Sequence, residues 1–347
     1  MSNNIVSVII PSFNNSNLLK EMIECILMQT YPNWELLVID DGSTDDSREV
    51  VEEYTKKDNR IKLLIRDRLP KGGQTCRNIG FEHSQGSYVC FFDSDDLVSE
   101  NCLMQRVKYM EENPDLDFAV FPAHSFKNGT DHRLITKTMV SWGNKNVKDP
   151  LDCFLRNDYP YTVWTNIYRR NSIVDIKWDD RVLVRQDLDF NISTLLGGKK
   201  AAIAFNAEYD YFYRGAFGEN NVSKNFATNG RAESTIYLFD KILKRLSNLP
   251  TSLRLKYTNS FKRYFVYHFG LLLLESDTKY INQFISFCKK HYGWWFVARL
   301  QLVQKCVSVT NNKNTKKYLS NALFLVTFGY KHYFKQIYKM FIRIFSI

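Results

Sequence analysis

No stretch of this 347-residue chain approaches the roughly 20 uninterrupted apolar residues of a membrane-spanning helix, which argues against a helical integral membrane protein. The first residues, Met1-Ser2-Asn3-Asn4, lack a basic leader and run straight into a strand pattern, so no secretory signal peptide is expected. Cysteine is scarce and unpatterned. The seven (25, 76, 90, 102, 153, 288, 306) are odd in number and lack metal-type spacing, as expected of reduced thiols in a cytoplasmic protein. Acids all but vanish from the last quarter, where residues 251–347 carry 16 Lys and Arg against Glu275 and Asp277. Residues 1–250 carry 31 Lys and Arg against 35 Asp and Glu, so the net charge of +10 belongs wholly to the C-terminal part. Such asymmetry suggests a near-neutral domain for chemistry and a basic one for an anionic surface.

Against these absences stands one concentration of charge, Asp93-Ser94-Asp95-Asp96, directly after the apolar run Tyr88–Phe92. Carboxylates held this close raise one another's pKa, and a divalent cation removes the penalty. Hard oxygen ligands suit Mg²⁺ or Mn²⁺. A strand ending in a turn, with Asp96 capping the next helix, is the plainer alternative.

Val6–Pro11, Glu35–Ile39, Ile61–Ile65, Tyr88–Phe92 and Asp117–Phe121 read as short buried strands. Between them, helices are expected at Asn17–Gln29, from Thr44 or Asp45 to about Lys56, at Gly73–His83, and from about Ser99 to Glu112. This alternation predicts an α/β fold with a mostly parallel sheet flanked by helices. In such sheets ligands bind beyond the carboxyl ends of the strands. Pro11-Ser12-Phe13-Asn14, Asp40-Asp41 and Asp93–Asp96 all fall on that rim. Residues 130–225 are less regular, with strand-like pieces near 200–204 and 209–213. From Ala232 the pattern is helical, giving an expected division into a catalytic domain, 1–225, and a basic, aromatic-rich helical extension, 226–347.

Five ordered blocks carry a resemblance. They are Val6–Asn14 (Val-Ser-Val-Ile-Ile-Pro-Ser-Phe-Asn), Gln29–Glu35 (Gln-Thr-Tyr-Pro-Asn-Trp-Glu), Leu37–Asp45 (Leu-Val-Ile-Asp-Asp-Gly-Ser-Thr-Asp), Arg77-Asn78-Ile79-Gly80 with Gly86-Ser87-Tyr88, and Phe92–Asp96. In order and spacing they resemble the family 2 glycosyltransferases of the GT-A, Rossmann-like fold. The resemblance implies inverting transfer of a sugar from a nucleoside-diphosphate donor, with UDP as the expected nucleotide. By that resemblance Pro11, Phe13, Asp41, Arg77, Asp93 and Arg214 form the donor-nucleotide site. Asp95 with Asp93 would hold Mn²⁺ or Mg²⁺, which stabilises the departing diphosphate.

The residues themselves allow these roles. Phe13 offers a planar partner for a base or a core ring, and Asp41 can accept from a uracil-type imide or close a turn before Gly42. The loop Lys71-Gly72-Gly73-Gln74 suits a lid near phosphates or an ordinary surface turn, and departs from the Gly-x-Ser-x-Ala expected of the family. The acceptor hydroxyl needs a base. The family's Glu-Asp pair falls on Gln186-Asp187, making Asp187 the expected base, Gln186 a substitution, and Asp189 the fallback. A helix N-terminus at 187 would favour the carboxylate. Trp164, ahead of Tyr168-Arg169-Arg170, is placed either against a sugar face or in the core. Tyr211-Phe212-Tyr213-Arg214, followed by Ser223, resembles the family's closing segment. The Gln-x-x-Arg-Trp motif of processive synthases is absent, so a single transfer per encounter is expected.

Lys331, Lys335, Lys339 and Arg343 recur every four residues among Phe334, Tyr338, Phe341 and Phe345. This pattern suits a helix lying on anionic lipid, or one packing on the domain. The expected partners are a UDP-sugar, a glycan or polyprenyl-linked glycan acceptor in surface polysaccharide synthesis, and the inner face of the cell membrane. No nucleic acid is expected. A catalytically inactive nucleotide-sugar-binding scaffold of the same fold is the alternative, favoured only by Gln186.

Overall fold

Two strongly apolar stretches, β1 (Val6–Ser12) and β2 (Trp34–Asp40), pair side by side as inner strands of a sheet and are buried almost end to end. The architecture is that of a computed structural model, which describes residues 4–127, 129–131, 137–138, 147–215, 230–275, 278–309, 315 and 319–320. Interleaved with β1 and β2 are α1 (Ser16–Leu27), α2 (Ser47–Thr55), β3 (Ile61–Ile65), α3 (Gly73–His83) and β4 (Tyr88–Phe91). Then come β5 (Leu97–Val98), α4 (Cys102–Glu112), β6 (Phe118–Val120), β7 (Ala123–Phe126), β8 (Lys137–Thr138) and α5 (Pro150–Leu155). The first part closes with β9 (Asn166–Arg169), α6 (Gln186–Leu196), β10 (Ala201–Ile203) and β11 (Tyr211–Arg214).

Seven strands form one sheet in the order β10-β6-β9-β4-β1-β2-β3, parallel except where β9 runs against β6 and β4. A second sheet, β5-β11-β7-β8, stands apart. The parallel run follows from the βαβ alternation, since each helix carries the chain back over a strand pair. Gly80 lets α3 sit close on this sheet. A Cβ there would come 2.4 Å from Ile9 Cγ2 and 2.7 Å from Ile39 Cδ1.

Two expectations need correction. The helix after the acidic cluster begins at Cys102 with Asn101 as its N-terminal flank, so Asp96 caps nothing. Likewise α2 begins at Ser47, after Asp46, without a side-chain cap; Asp45 instead accepts from the Ser47 amide and hydroxyl and from the Ser16 amide.

A buried ion pair fixes the second sheet. Arg106 of α4 donates from Nε and Nη2 to the two oxygens of Asp210, both at 2.8 Å, and both side chains are fully buried. Nη1 of Arg106 reaches the carbonyls of Trp164 and Asn166, each at 3.2 Å. Asp210 directly precedes β11. Arg106→Ala is therefore expected to lower stability by about 3–5 kcal/mol, because a buried carboxylate loses its partner. An Arg106→Met, Asp210→Leu double variant should regain most of it; urea midpoints of the three proteins check this.

The chain folds as two compact units, residues 1–154 with 158–221, and residues 155–157 with 222–347. The described helices of the second unit are α7 (Arg231–Ser247), α8 (Thr251–Glu275) and α9 (Thr278–Val307), packed around Phe239, Phe261, Phe265 and Phe284. No described helix is long and apolar enough to cross a membrane. The cation-striped segment 331–347 and Ser223 lie outside the described residues.

Candidate active site

Four of the expected residues meet at the ends of β4 and α6. Arg77, on α3, donates from Nη2 to Asp93 Oδ1 at 2.7 Å and from Nη1 to Gln186 Oε1 at 3.2 Å. One guanidinium thus ties the acidic turn to the first residue of α6, and Asp187 follows immediately. Burial works against the Arg77 charge, but Asp93 and Asp187 outweigh it and hold the group firmly protonated. Its planar face lies 4.6 Å from the Trp178 ring centre, and Trp178 stacks in turn on Phe190 of α6 at 4.3 Å.

The Arg-Asn-x-Gly block is explained residue by residue. Arg77 reaches the acid, Gly80 allows the close approach of α3, and Asn78 clamps the segment before α6. Asn78 donates to the Trp178 carbonyl at 2.8 Å and accepts from the Trp178 amide at 3.0 Å. Nothing in the sequence marks Trp178 for this place, because its partners lie 100 residues away.

Asp187 departs from the expected electrostatics. The helix N-terminus does not win: burial first, and then Asp93, raise its carboxyl to about 6 against the pull of Arg77. That value lies just below neutral pH, where a carboxylate is ionised yet basic enough to take a proton. Asp189 is buried within the first turn of α6.

The three acids of the turn separate. Asp95 is an exposed residue whose carboxyl is raised to about 6, first by desolvation and then by Asp93, with Arg214 pulling the other way. Asp96 points inward and is buried, accepting from the Tyr211 hydroxyl at 2.8 Å and the Arg214 amide at 2.7 Å. Burial, Asp95 and Asp93 all drive its carboxyl well above the usual range. Tyr211 also accepts from the Asp93 amide at 3.2 Å, so a single hydroxyl joins both ends of the acidic turn. Tyr213, two residues on, has its hydroxyl raised to about 12, first by burial and then by Asp96, Asp95, Asp93 and Asp187. Sequence reasoning singles out neither tyrosine; the block Tyr211–Arg214 is the available signal.

Among the described residues no group of three or more His, Cys, Asp or Glu converges as a metal site. The donor set still fits Mg²⁺ or Mn²⁺, which are held by one or two carboxylates with substrate phosphates supplying the rest. Desolvation leads in raising the Asp95 carboxyl, and the part that Asp93 adds is repulsion of the kind such a cation relieves.

On the β1–β2 side of the rim, Pro11 and Asp40 occupy the ends of paired strands. Phe13 is exposed, with Lys71 Nζ 3.3 Å from its ring centre. Asp41 is buried, and its Oδ1 accepts from Arg66 Nε at 2.6 Å and from the Gly72 amide at 3.1 Å. Its neighbour Asp40 is structural. It closes the turn at Gly42 and Ser43 and pairs with Arg48 at 2.7 Å. Asn15 Nδ2 donates to Ser94 Oγ, linking this side to the acidic turn.

Two expected residues are engaged elsewhere. Trp164 is buried, stacked on Tyr211 at 4.3 Å and Tyr213 at 5.6 Å, so it is a prop beneath β11 and offers no open sugar platform. Arg214 is nearly buried and donates to the Asp95 carbonyl at 2.7 Å and to Glu21 at 2.5 Å, bracing the turn from behind.

A mostly parallel sheet with these acids and Arg77 on its carboxyl rim defines an α/β protein of the GT-A type. The family model described as Glycosyl transferase family 2 matches residues 7–178. An uncharacterized glycosyltransferase of Haemophilus influenzae is 39% identical over 247 residues, covering 70% of this chain and 88% of that protein. The chain belongs to glycosyl transferase family 2.

The Escherichia coli protein UDP-Glc:alpha-D-GlcNAc-diphosphoundecaprenol beta-1,3-glucosyltransferase WfgD is 40% identical over 113 residues, 33% of this chain and 44% of that one. Uncharacterized glycosyltransferases of Rickettsia match at 44% over 108 residues, and the chain spans only 15–17% of their length. Among solved structures, S. aureus TarS 1-349 in complex with UDP-GlcNAc shares the fold. Its TM-score is 0.67 at 18% identity, covering 91% of this chain and 90% of that one.

The two carboxyls near 6 set the expected pH dependence. For a base at Asp187 and a ligand at Asp95 the carboxylate is the working form, so kcat/KM is expected to be flat above about pH 7 and to fall by about tenfold per unit or more below 6. Gln186→Glu adds a negative charge beside Asp187 and should move this acid limb to higher pH. Unmoved profiles would show that Asp187 is not the titrating base.

Proposed function

We propose that the chain transfers one sugar per encounter, with inversion, from a nucleoside-diphosphate donor, most naturally a UDP-sugar, to a hydroxyl of a glycan or lipid-linked glycan in surface polysaccharide synthesis. The observation that carries this is the bridge from Asp93 through Arg77 to Gln186, which brings the diphosphate end of the rim against the residue next to a carboxylate of pKa about 6. WfgD, whose name gives a UDP-Glc donor and a diphosphoundecaprenol-linked acceptor, supports the choice of substrates.

In this reading Phe13 stacks on the base, with Pro11 at its strand end and Asp41 held by Arg66 for the ring N–H. Arg77 meets the diphosphate. Asp95, with Asp93 beside it, would hold Mn²⁺ or Mg²⁺, and a cation there offsets the charge of the departing diphosphate. Asp187 accepts the proton of the attacking hydroxyl, and a single base with no second positioned nucleophile is what inversion needs. Arg214 contributes by bracing the acidic turn. The basic C-terminal region favours an anionic membrane surface, at the inner face of the cell membrane.

The test is a panel of nucleotide sugars with the purified chain and Mn²⁺, read as donor hydrolysis and transfer. Turnover of a UDP-sugar above the others supports the reading; no binding of any nucleotide diphosphate refutes it.

A further inference from the structure

The second unit presents an apolar stripe that the proposed chemistry does not use. In α9 the helix breaks at Gly293, whose φ of 79° and ψ of 179° are not helical. Beyond the break, Val297, Leu300, Val303 and Val307 are buried. On the opposite side Trp295 and Leu302, seven residues or two helical turns apart, are 76% and 54% exposed, and Val309, in the turn just past the helix end at Val307, is 80% exposed. Trp294, 59% exposed, lies edge-on to Trp295 with ring centres 4.6 Å apart. Two adjacent exposed tryptophans heading an aliphatic row are not an ordinary soluble surface.

The charge around them selects the occupant. Residues 278–309 contain Lys279, Lys289, Lys290, Arg299 and Lys305 and no Asp or Glu. Pairing two copies of this chain through the stripe would bring two such acid-free basic segments together. Leu302 and Val309 offer nothing to a phosphate or a base edge. An anionic bilayer satisfies both features: its headgroups meet the cations, and its acyl boundary takes the aliphatic row and the tryptophan rings, which favour that interface. From Trp295 to the helix end at Val307 the stripe has roughly 18 Å of axis, suited to a helix lying flat rather than spanning.

We infer that the exposed Trp294–Leu302 face of α9, with Val309 just past its end, inserts at an anionic membrane surface. This deepens, and rests on, the reading of a membrane-linked acceptor, and it assigns the contact to α9 rather than to the segment 331–347.

The full chain is to be sedimented with vesicles of equimolar phosphatidylglycerol and phosphatidylcholine, and with phosphatidylcholine alone. Binding to the anionic vesicles is expected. Trp294→Ser with Trp295→Ser should weaken it by about tenfold or more, and Lys289→Glu with Lys305→Glu should weaken it at low salt. UDP affinity and thermal midpoint should stay unchanged in both, as the altered side chains are exposed. Undiminished vesicle binding by the tryptophan variant overturns the assignment. So does a failure of the wild-type chain to bind either vesicle, or a dimer in sedimentation that the tryptophan variant abolishes. UDP binding by the wild-type chain, measured alongside, reports separately on the transferase reading.

Discussion

Asp187→Asn should lower kcat by about 10²–10⁴-fold while leaving UDP affinity close to that of the wild type. Asn keeps the shape of the side chain and the start of α6 but cannot take a proton. Arg77 retains Asp93 and Gln186, so the nucleotide side of the rim stays assembled. Loss of turnover with retained UDP binding, measured by calorimetry beside initial rates, separates a base from a binding group. Normal transfer by this variant would move the role to another residue. Asp189 is a poor substitute: it is buried inside the first turn of α6, so Asp189→Asn should act through folding.

Asp95→Ala should abolish Mn²⁺-dependent UDP binding and reduce turnover by at least about 10²-fold, the scale on which losing one stabiliser of developing charge is felt. A second readout needs no substrate. The Asp95 carboxyl is raised from 3.8 to about 6 in the folded chain, so its stabilising contribution is present below about 4 and lost as pH rises through 6. The variant Asp95→Asn removes that loss. Without metal, its thermal midpoint should therefore overtake that of the wild type progressively between pH 4 and 7. Mn²⁺ should raise the wild-type midpoint at pH 7.5 and have little effect at pH 5, where the carboxyl is protonated. A pH-independent difference between the two proteins, or an equal Mn²⁺ effect in Asp95→Asn, would remove Asp95 as the metal ligand.

The βαβ half of the fold is legible in the sequence because its signals are local. Runs such as Val6–Ile10 and Leu36–Ile39 carry too many apolar residues for any place but a buried parallel strand, and the polar blocks after them have to fall on one rim. Arg77, Asp93 and Asp187 stand out through their motif blocks. The short strands β5, β7 and β9 do not, because each is held by partners far along the chain rather than by its own periodicity, and the two-residue β8 has no pattern of its own. β5, for example, pairs with β11 through Leu97 opposite Phe212. Trp164 reads equally as platform or prop until Tyr211 and Tyr213 are seen against it.

The amino-acid sequence alone determined the parallel βαβ part of the sheet, the rim and the family, since these rest on local apolar pattern and on the order of short blocks. Tertiary structure decided the working state of each acid. Asp96 became a buried anchor for Tyr211, 115 residues away, and Asp187 and Asp95 were driven up to about 6. The reason is physical. A carboxyl's proton affinity depends on the water it loses and the charges it meets. The chain's neighbours supply the charge at Asp95 and Asp96, but burial leads in all three, and Asp187 meets Arg77 and Asp93 from roughly a hundred positions away.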